Sequence, residues 1–438
     1  MCFLAPLVAG ADTLEAYSNL TGKTVLTPSA LPALPDSIVP DSPTDTNNAI
    51  AAIETALADQ GFEVVQDGPH FVRVFPKAAR NFMTNAPLRG AELAPAKTQE
   101  TLPEGMIDFS GADIRQVLDI YALMRGRTIL RPATLPAPLV RLKSRGRLTM
   151  QEGVYALETV LALNGICMVD DGTKFVQVVP TQQRAQVKTR APKPEPGAKM
   201  MPDGSIDFRG ADLNEVLSIY AATRQRTILR PATLPGPTFS LMSASALTQE
   251  EAVYAIATLF ELSGISLVDD GEKFVQAVPM AQRAHVKTNA PKPEPGAKVL
   301  DPKQVPTVGG SGPSGMQSIP KPLADVERLL EFERLRKAFY DFMHFPIPSQ
   351  RPAQRLLELY ARLADKTAVA STNFDRVTIL FHVETPLTRS ELLYAIETTF
   401  VLNNLAIISV DDRRIRLSWL PAVLRSSGKQ IENVQPKR

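Results

Sequence analysis

Histidine and cysteine supply many of the general bases, nucleophiles and metal ligands of proteins. This chain has four histidines, His70, His285, His344 and His382, and only two cysteines. No histidine has a cysteine or carboxylate partner at a spacing typical of a metal site. We interpret all four as ordinary surface or packing residues.

Cys167 and two acidic pairs are the remaining candidates for chemistry. A thiol can act as a nucleophile, but Cys167 lies in a segment typical of a half-buried strand. The pairs Asp170–Asp171 and Asp269–Asp270 suggest a metal site, yet each precedes a glycine in a predicted hairpin, which favours turn residues. The sequence therefore predicts no catalytic, cofactor-binding or metal-binding residue, and it leaves the residues of any protein interface unknown.

The composition is typical of a folded chain with several domains. Its 438 residues suit two to four domains, 44% of them are apolar, and 37 prolines indicate extended linkers. The 48 basic and 46 acidic residues nearly balance, so net charge argues neither for nor against a nucleic-acid partner. Cys2 and Cys167 cannot build a disulfide framework, and no apolar run reaches the roughly 18 residues of a membrane span.

The sequence begins with "MCFLAPLVAGA". An apolar stretch from Cys2 to Val8 precedes three small residues, Ala9-Gly10-Ala11, before Asp12. This pattern resembles the end of a secretory signal and its cleavage site, without the positively charged start. Together with the arguments below, it favours export.

A nonapeptide, "TILRPATLP", occurs at residues 128–136 and again at 227–235. The repeat is wider than these nine residues, because Tyr121, Gly165 and Pro180 recur 99 residues later and, more divergently, 104 residues earlier. Such self-similarity indicates tandem copies of one structural unit.

A fourth copy is recognised by spacing. Tyr360 and Asn404 are 44 residues apart, as are the corresponding tyrosine and glycine in the other three copies. After glycine, asparagine is the residue best suited to a left-handed backbone conformation. We therefore expect this position to be left-handed in all four copies.

Each copy predicts the same elements in the same order. In the second copy, "MIDF" indicates a strand, and Asp113 caps a first helix. "RTILR" and "LVRLK" predict strands on either side of a proline-rich crossing. Thr149 and Glu152 predict a capping box for a second helix, and "ICMVDDGTKFVQVVP" predicts a hairpin with an Asp-Gly turn.

The helix signals recur in the other copies. The predicted capping boxes are Thr149–Glu152, Thr248–Glu251 and Thr388–Glu391, with Asp45 and Asn48 as a weaker first version. The predicted buried face of the first helix in the second copy is Ile114, Val117, Leu118 and Tyr121. The second helix of each copy has a predicted buried trio: Ile50, Ile53 and Leu57 in the first copy; Val154, Leu157 and Leu161 in the second; Val253, Ile256 and Phe260 in the third; and Leu393, Ile396 and Phe400 in the fourth.

These signals predict an α+β fold made of four tandem β-α-β-β-α-β-β modules, each with two helices on a small mixed sheet. The first copy lacks a predicted first strand. The predicted boundaries are a divergent repeat 1 at 1–76, a linker at 77–104, repeat 2 at 105–180, a Pro-rich linker at 181–203, repeat 3 at 204–279, a Pro/Gly-rich linker at 280–322, an added amphipathic helix plus repeat 4 at 323–421, and a tail at 422–438.

Two connecting features are distinctive. The spacers at 188–199 and 287–298 are near-copies that alternate Pro with Lys and Glu, which favours polyproline II segments of about 35 Å. We expect such spacers to hold neighbouring modules apart, or along a surface, more readily than in one compact block. The added helix, about Leu323 to Met343, is expected to pack on its own fourth module rather than to dock elsewhere.

Residues 206–279 bring these features together: "IDF" before a "GAD" helix start, "TIL" after that helix, "LTQEEA" opening the second, a "GISLVDDG" hairpin and a closing "VP". This pattern resembles the periplasmic N-domains of secretins, most closely those of the type II secretion family (general secretion pathway protein D). Residues 106–180 match equally well, and the first and fourth copies match in part.

The resemblance implies a KH-like module fold, ring assembly through the helices of one domain and the sheet of the next, and contact with exported proteins or other secretion components. It therefore implies a non-enzymatic protein-binding scaffold without cofactors or a small-molecule substrate. Its location would be periplasmic, with outer-membrane association through a partner. A secretin carries a long β-rich pore domain, which does not occur in these 438 residues.

Two alternatives remain open. KH domains bind nucleic acid through a GxxG loop between two helices, but the match at Gly312-Pro-Ser-Gly315 lies in a predicted linker. Aromatic residues for base stacking are also few, at 6% of the chain. A cytoplasmic multivalent adaptor is the second alternative, since linked modules bind multivalent partners at raised effective concentration.

Overall fold

Helices and small sheets alternate along the chain as repeated α+β modules. The computed structural model describes residues 9–29, 46–80, 101–103, 107–193, 195–202, 204–234, 236–292, 296–297, 299–300, 305, 352–370, 374–375 and 377–420. Within these ranges, no helix combines the length and apolar character needed to cross a membrane.

The first and second helices of each repeat occur in pairs along the chain. The α-helices are α1 (Ala9–Thr21), α2 (Thr46–Asp59), α3 (Ile114–Arg125), α4 (Met150–Leu163), α5 (Leu213–Arg224), α6 (Gln249–Leu262), α7 (Pro352–Leu363) and α8 (Arg389–Leu402). Short 3-10 helices follow the closing strands of the first three repeats, at Lys77–Ala79, Thr181–Gln186 and Met280–His285.

The strands are short. They are β1 (Thr24–Leu26), β2 (Phe62–Asp67), β3 (Phe71–Pro76), β4 (Asp108–Ala112), β5 (Thr128–Leu130), β6 (Val140–Lys143), β7 (Ile166–Asp171), β8 (Phe175–Pro180), β9 (Asp207–Ala211), β10 (Thr227–Leu229), β11 (Phe239–Met242), β12 (Ile265–Asp270), β13 (Phe274–Pro279), β14 (Val299–Leu300), β15 (Thr367–Ala368), β16 (Leu387–Thr388), β17 (Leu405–Ser409) and β18 (Arg414–Trp419).

The second repeat shows how the strands pair. β4 and β6 form a two-stranded antiparallel sheet, and β8 is the central strand of a separate three-stranded sheet. In that sheet β8 is parallel to β5 and antiparallel to β7. The single mixed sheet predicted from the sequence is therefore two sheets, of which only the three-stranded one is mixed.

The three-stranded sheet recurs in every repeat with the same strand order and directions. Its orders are β1-β3-β2, β5-β8-β7, β10-β13-β12 and β15-β18-β17. The two-stranded sheet recurs as β9 with β11 in the third repeat. In the first repeat, the positions that correspond to β4 and β6 lie outside the described residues. The predicted loss of the first strand concerns these positions.

The fourth repeat contains a strand within the stretch predicted as a linker, 280–322. Val299 and Leu300 pair antiparallel with Leu387 and Thr388, just before α8. Met200 makes the equivalent bridge to Thr248 in the third repeat. The end of a spacer thus pairs with the residues that start the next second helix.

The predicted helix signals are confirmed in the described residues. Asp113 accepts a hydrogen bond from the Arg115 amide, and α4 and α8 each begin with a complete capping box. Every residue of the predicted face of α3 is buried. Of the twelve residues predicted on the second-helix faces, nine are buried, and Ile50, Val253 and Leu393 are half-buried.

The predicted left-handed position is confirmed in all four repeats. The second residue after the end of the second helix has φ of +82° at Gly61, +75° at Gly165, +81° at Gly264 and +60° at Asn404. Only this conformation turns the chain from the helix into the closing hairpin. The fourth repeat keeps the turn with asparagine because a polar side chain that hydrogen-bonds locally tolerates it.

The chain divides by internal packing into two compact units. The first comprises Met1–Gly210 and Phe239–Ala255, and the second comprises Ala211–Thr238 and Ile256–Arg438. Each unit has its own apolar core. The core of the first unit joins Leu26 and Phe71 of the first repeat to the helices of the second.

Several predictions fall on residues that the structure does not describe. Among them are the apolar stretch from Cys2 to Val8, the Asp45 cap, the Gly312–Gly315 motif, the amphipathic helix of about Leu323 to Met343, and the tail at 422–438. Ala9, Gly10 and Ala11, the predicted cleavage site, open α1.

The left-handed turn at Asn404 gives a first testable prediction. Asn404→Gly should leave the free energy of unfolding nearly unchanged, because glycine adopts φ of +60° without strain. Asn404→Ala should lower it by about 1 kcal/mol, since alanine pays the left-handed penalty. Urea unfolding of both variants measures the difference, and equal losses would contradict the backbone explanation.

Candidate functional site

Neighbouring repeats contact each other through one interface that occurs three times. In each case the closing hairpin of one repeat meets the start of the second helix of the next. Of the two arrangements predicted for the proline-rich spacers, the one that holds neighbouring modules apart is therefore wrong, because neighbouring repeats are in contact. The first two copies lie within the first compact unit, and the third lies within the second unit.

A buried carboxylate, Asp171, is at the centre of the interface between the second and third repeats. Its side chain has 0% exposure. Oδ2 accepts hydrogen bonds from the Tyr254 hydroxyl of the third repeat and from Gln177 Nε2 at 2.6 Å. Oδ1 accepts one from the Ala191 amide of the spacer at 3.0 Å. A buried carboxylate is tolerated only when such donors replace water.

The same arrangement recurs between the third and fourth repeats. Asp270 is fully buried and accepts hydrogen bonds from the Tyr394 hydroxyl, from Gln276 Nε2 at 2.7 Å and from the Ala290 amide at 3.0 Å. The spacer residue Lys287 accepts the second Gln276 donor through its carbonyl at 2.8 Å. The spacers are thus part of the interface rather than free connections.

Between the first and second repeats, an arginine replaces the glutamine. Arg73 is 2% exposed, and its Nε donates to Asp67 Oδ2 at 2.6 Å. Arg73 Nη2 and the Tyr155 hydroxyl also hydrogen-bond, and Tyr155 in turn donates to Asp67. This copy therefore contains a buried ion pair that shares the tyrosine of the next repeat.

The tyrosine also packs on a phenylalanine of the preceding hairpin. The ring centroids of Phe175 and Tyr254 are 5.5 Å apart, at an interplanar angle of 58°. The equivalent pairs are Phe71 with Tyr155 at 5.4 Å and Phe274 with Tyr394 at 5.7 Å. Tilted contacts at these distances are favourable for aromatic rings. Burial is the main reason that the pKa of Tyr155 lies above its ordinary value.

The helix cap forms a second charged contact. Lys174 Nζ lies 2.8 Å from Glu251 Oε2, and Glu251 is the capping-box glutamate of α6. Lys273 contacts Glu391 in the same way at 2.8 Å, and His70 lies 3.6 Å from Glu152. Each cap glutamate therefore serves both its own helix and the neighbouring repeat.

The environment of Glu251 has opposing effects on its ionisation. Burial raises the pKa of this carboxyl, but hydrogen bonds from Lys174 and Thr248 outweigh it, and the pKa lies below the ordinary value of 4.5. The pKa of Glu391 is lowered in the same way, with Lys273 and Thr388 as donors. Both glutamates are thus charged at neutral pH.

A threonine hydroxyl on the parallel edge strand completes the interface. Thr128 Oγ1 accepts a hydrogen bond from the Ala244 amide at 3.1 Å, and Thr227 Oγ1 accepts one from the Glu384 amide at 3.1 Å. Thr24 Oγ1 accepts one from the Arg145 amide at 2.8 Å. These bonds align the edge strand of one repeat with the loop before the second helix of the next.

The two aspartates of an acidic pair have different roles, which the interpretation of both as turn residues did not distinguish. Asp170 is exposed and forms ion pairs with Arg125 at 3.0 Å and Arg127 at 2.7 Å. Asp171, the next residue, is the buried centre of the interface. The interpretation of both aspartates as turn residues is therefore wrong: they are the last residues of β7, and the turn begins at Gly172, with φ of +66°.

The other candidate residues lie apart from one another. Cys167 is buried in β7, and burial raises the pKa of its thiol. His382 lies 3.3 Å from Glu384, His285 ends a 3-10 helix, and His344 lies outside the described residues. Among the residues that the structure describes, no three His, Cys, Asp or Glu side chains form a group able to hold a metal ion.

The interface residues were missed because each has a local interpretation. Glu251 is explained by its capping box, Asp171 by its hairpin and Tyr254 by its place on a helix. The signal was present in the repeats. An aspartate, a phenylalanine and a histidine or lysine recur around the turn of the first three hairpins, and a glutamate and a tyrosine recur in the last three second helices. Complementary residues that recur one repeat apart indicate contact between neighbouring repeats.

Comparison of this chain with protein-family models, with curated proteins and with solved structures finds no match. The functional argument therefore rests on the recurring interface. Its chemistry is recognition of one protein surface by another, through a buried hydrogen-bonded carboxylate, a ring contact and an ion pair.

The adjacent aspartates give a matched pair of variants. Asp171→Asn should lower the free energy of unfolding by about 1.5–3 kcal/mol, because it weakens hydrogen bonds to a buried charge. Asp170→Asn should cost at most about 1 kcal/mol, since it removes the ion pairs of a carboxylate that is 56% exposed. Urea unfolding, with proteolysis of the 188–199 spacer as the local readout, tests both. Equal effects of the two changes would contradict the central role of Asp171.

The cap glutamates predict a dependence on acid. Their folded pKa values lie below the unfolded value of 4.5, so their contribution to stability is complete above about pH 4.5 and is lost as pH falls through the folded pKa. The double variant Glu251→Gln with Glu391→Gln should therefore lose less stability than the wild type between about pH 5 and pH 3. If the free energy of unfolding falls equally with pH for the variant and the wild type over that range, this assignment is wrong.

Proposed function

We propose that this chain is a non-enzymatic protein-binding scaffold associated with a type II secretion-like system. The observation that carries the scaffold role is the interface found three times along the chain, with the carboxylates of Asp67, Asp171 and Asp270 at its centres. These contacts give each repeat a defined docking arrangement with its neighbour. A chain built this way presents its repeats in a fixed order to partners.

The secretion assignment and the finer fold are part of the same proposal. The four repeats are KH-like modules of the secretin N-domain type, as the resemblance of residues 106–180 and 206–279 implies. The α+β elements and the mixed three-stranded sheets support this reading of the fold. The resemblance supplies the periplasmic location, with outer-membrane association through a partner.

Of the two roles that the resemblance implies, partner contact is favoured over ring assembly through the repeated interface. In the first three repeats, the hairpin face already binds the next repeat of the same chain. In the last three repeats, the second-helix start is bound in the same way. Those faces are therefore engaged within one chain.

The test is co-elution of the full chain with the pore-bearing part of a type II secretin, followed by light scattering. We expect a complex whose mass is the sum of stoichiometric partners. Asp171→Asn with Asp270→Asn should weaken it about tenfold or more, because the ordered presentation of the repeats is lost.

Asp170→Asn with Asp269→Asn is the matched control, because it changes the same number of charges on exposed side chains. This control should bind like the wild type. If the wild-type chain shows no co-elution and no change in mass at micromolar concentrations, the secretion assignment is wrong.

A further inference from the structure

The hairpin of the fourth repeat presents a changed version of the recurring interface. The strand pairing fixes the correspondence, because Thr367 pairs with Arg414 as Thr227 pairs with Phe274. Val410 then occupies the place of Asp270, and Arg414 occupies the place of Phe274. The carboxylate and the ring that bind the next repeat elsewhere are both replaced.

Other features of this face are retained. Thr367 corresponds to the threonine that accepts a loop amide in the first three repeats, and Arg413 corresponds to Lys273. Arg416 corresponds to Gln276 and to Arg73 of the first repeat. The face thus keeps its threonine and its cation and gains positive charge where the tyrosine of a next repeat would lie.

The face is exposed in the described part of the chain. Val410 is 45% exposed, whereas its counterpart Asp270 is 0% exposed. Arg413, Arg414 and Arg416 are also exposed. Arg414 Nε donates to Asp411 within the turn at 2.6 Å, and a guanidinium has five N–H donors in all.

Among the described residues, a second copy of this chain offers no second-helix start that fits the face. The second-helix starts of the last three repeats are occupied, and that of the first repeat has Asn48 and Ala51 where the others have glutamate and tyrosine. Both residues are exposed, in contrast to Glu251 at 2%. Within the described residues, these second-helix starts therefore favour an occupant from a different protein.

We propose that residues Thr367, Val410, Arg413, Arg414 and Arg416 form a docking face for an acidic helix start of a different protein. The pattern it fits is Ser/Thr-x-x-Glu-x-x-Glu, the capping box of the repeats with a carboxylate in place of the tyrosine. This inference names the partner chemistry of the scaffold and so rests on the proposed function.

The geometry of the third interface sets the expected contacts. The first glutamate would pair with Arg413, as Glu391 pairs with Lys273 at 2.8 Å. The second glutamate, one helical turn later, would lie where Tyr394 lies, against Arg414 and Arg416, with its methylene groups on Val410. Arginine forks and carboxylates form strong bidentate hydrogen bonds.

The first repeat allows the face to be tested with the full chain itself. Asn48→Glu with Ala51→Glu gives the start of α2 the acidic pattern, so that one copy can dock on the fourth repeat of another. We expect the mass from light scattering to rise with concentration for this variant and not for the wild type. Adding Arg414→Glu, or raising salt from about 50 to about 500 mM, should reduce the association about tenfold or more.

A second variant restores the interface seen between the repeats. It combines Asn48→Glu and Ala51→Tyr with Val410→Asp and Arg414→Phe, and it should also associate head to tail. Association of this variant without association of the acidic one overturns the acidic docking face and leaves the scaffold intact. If neither associates, the face is not a docking face of the repeated type and the inference fails.

A third measurement distinguishes a protein partner from two other anionic partners, nucleic acid and lipid. Wild-type chain is passed over immobilised poly(U) and mixed with vesicles containing anionic phospholipid. We expect that any retention of the wild-type chain on either surface is unchanged in the Arg414→Glu variant. Retention on either surface that is lost in Arg414→Glu would assign the arginines to that anion instead and overturn the proposal.

Discussion

The structure depends on a buried carboxylate at each junction between repeats. Asp171 and Asp270 are far from solvent, and a charged oxygen in such a place is stable only with several hydrogen-bond donors. These donors come from three parts of the chain: the same hairpin, the spacer that follows it and the tyrosine of the next repeat. The carboxylate therefore couples the fold of one repeat to the placement of the next, which a purely apolar contact would do with less directional control.

The three junctions keep this geometry while varying its chemistry. Arg73 supplies a full charge where the later repeats use Gln177 and Gln276, and His70 stands where they use lysines. The start of the second helix in the first repeat and the closing hairpin of the fourth repeat lack the complementary residues. In the fourth repeat, Val410 and Arg414 stand where the third repeat has Asp270 and Phe274.

Much of the local structure could be predicted because it depends on short-range rules. The capping boxes, the buried helix faces and the left-handed turn at Asn404 each follow from a few neighbouring residues. The division into two sheets could not be predicted from the sequence. It depends on β5 and β6, on either side of the proline-rich crossing, joining different sheets. The interface was also beyond local rules: a spacer rich in proline predicts an extended segment, but its composition does not show that the Ala191 amide donates to a buried aspartate.

The involvement of the spacer has a consequence for how such a chain can arise. A Cβ at Gly172 would meet the Ala191 Cβ at 2.9 Å, and one at Gly271 would meet Ala290 at the same distance, so hairpin and spacer fit each other closely. A gene duplication that copied a repeat without its spacer would leave the aspartate short of a donor. The unit that was duplicated is thus the module together with the twelve-residue spacer that follows it. This explains why residues 188–199 and 287–298 are nearly identical.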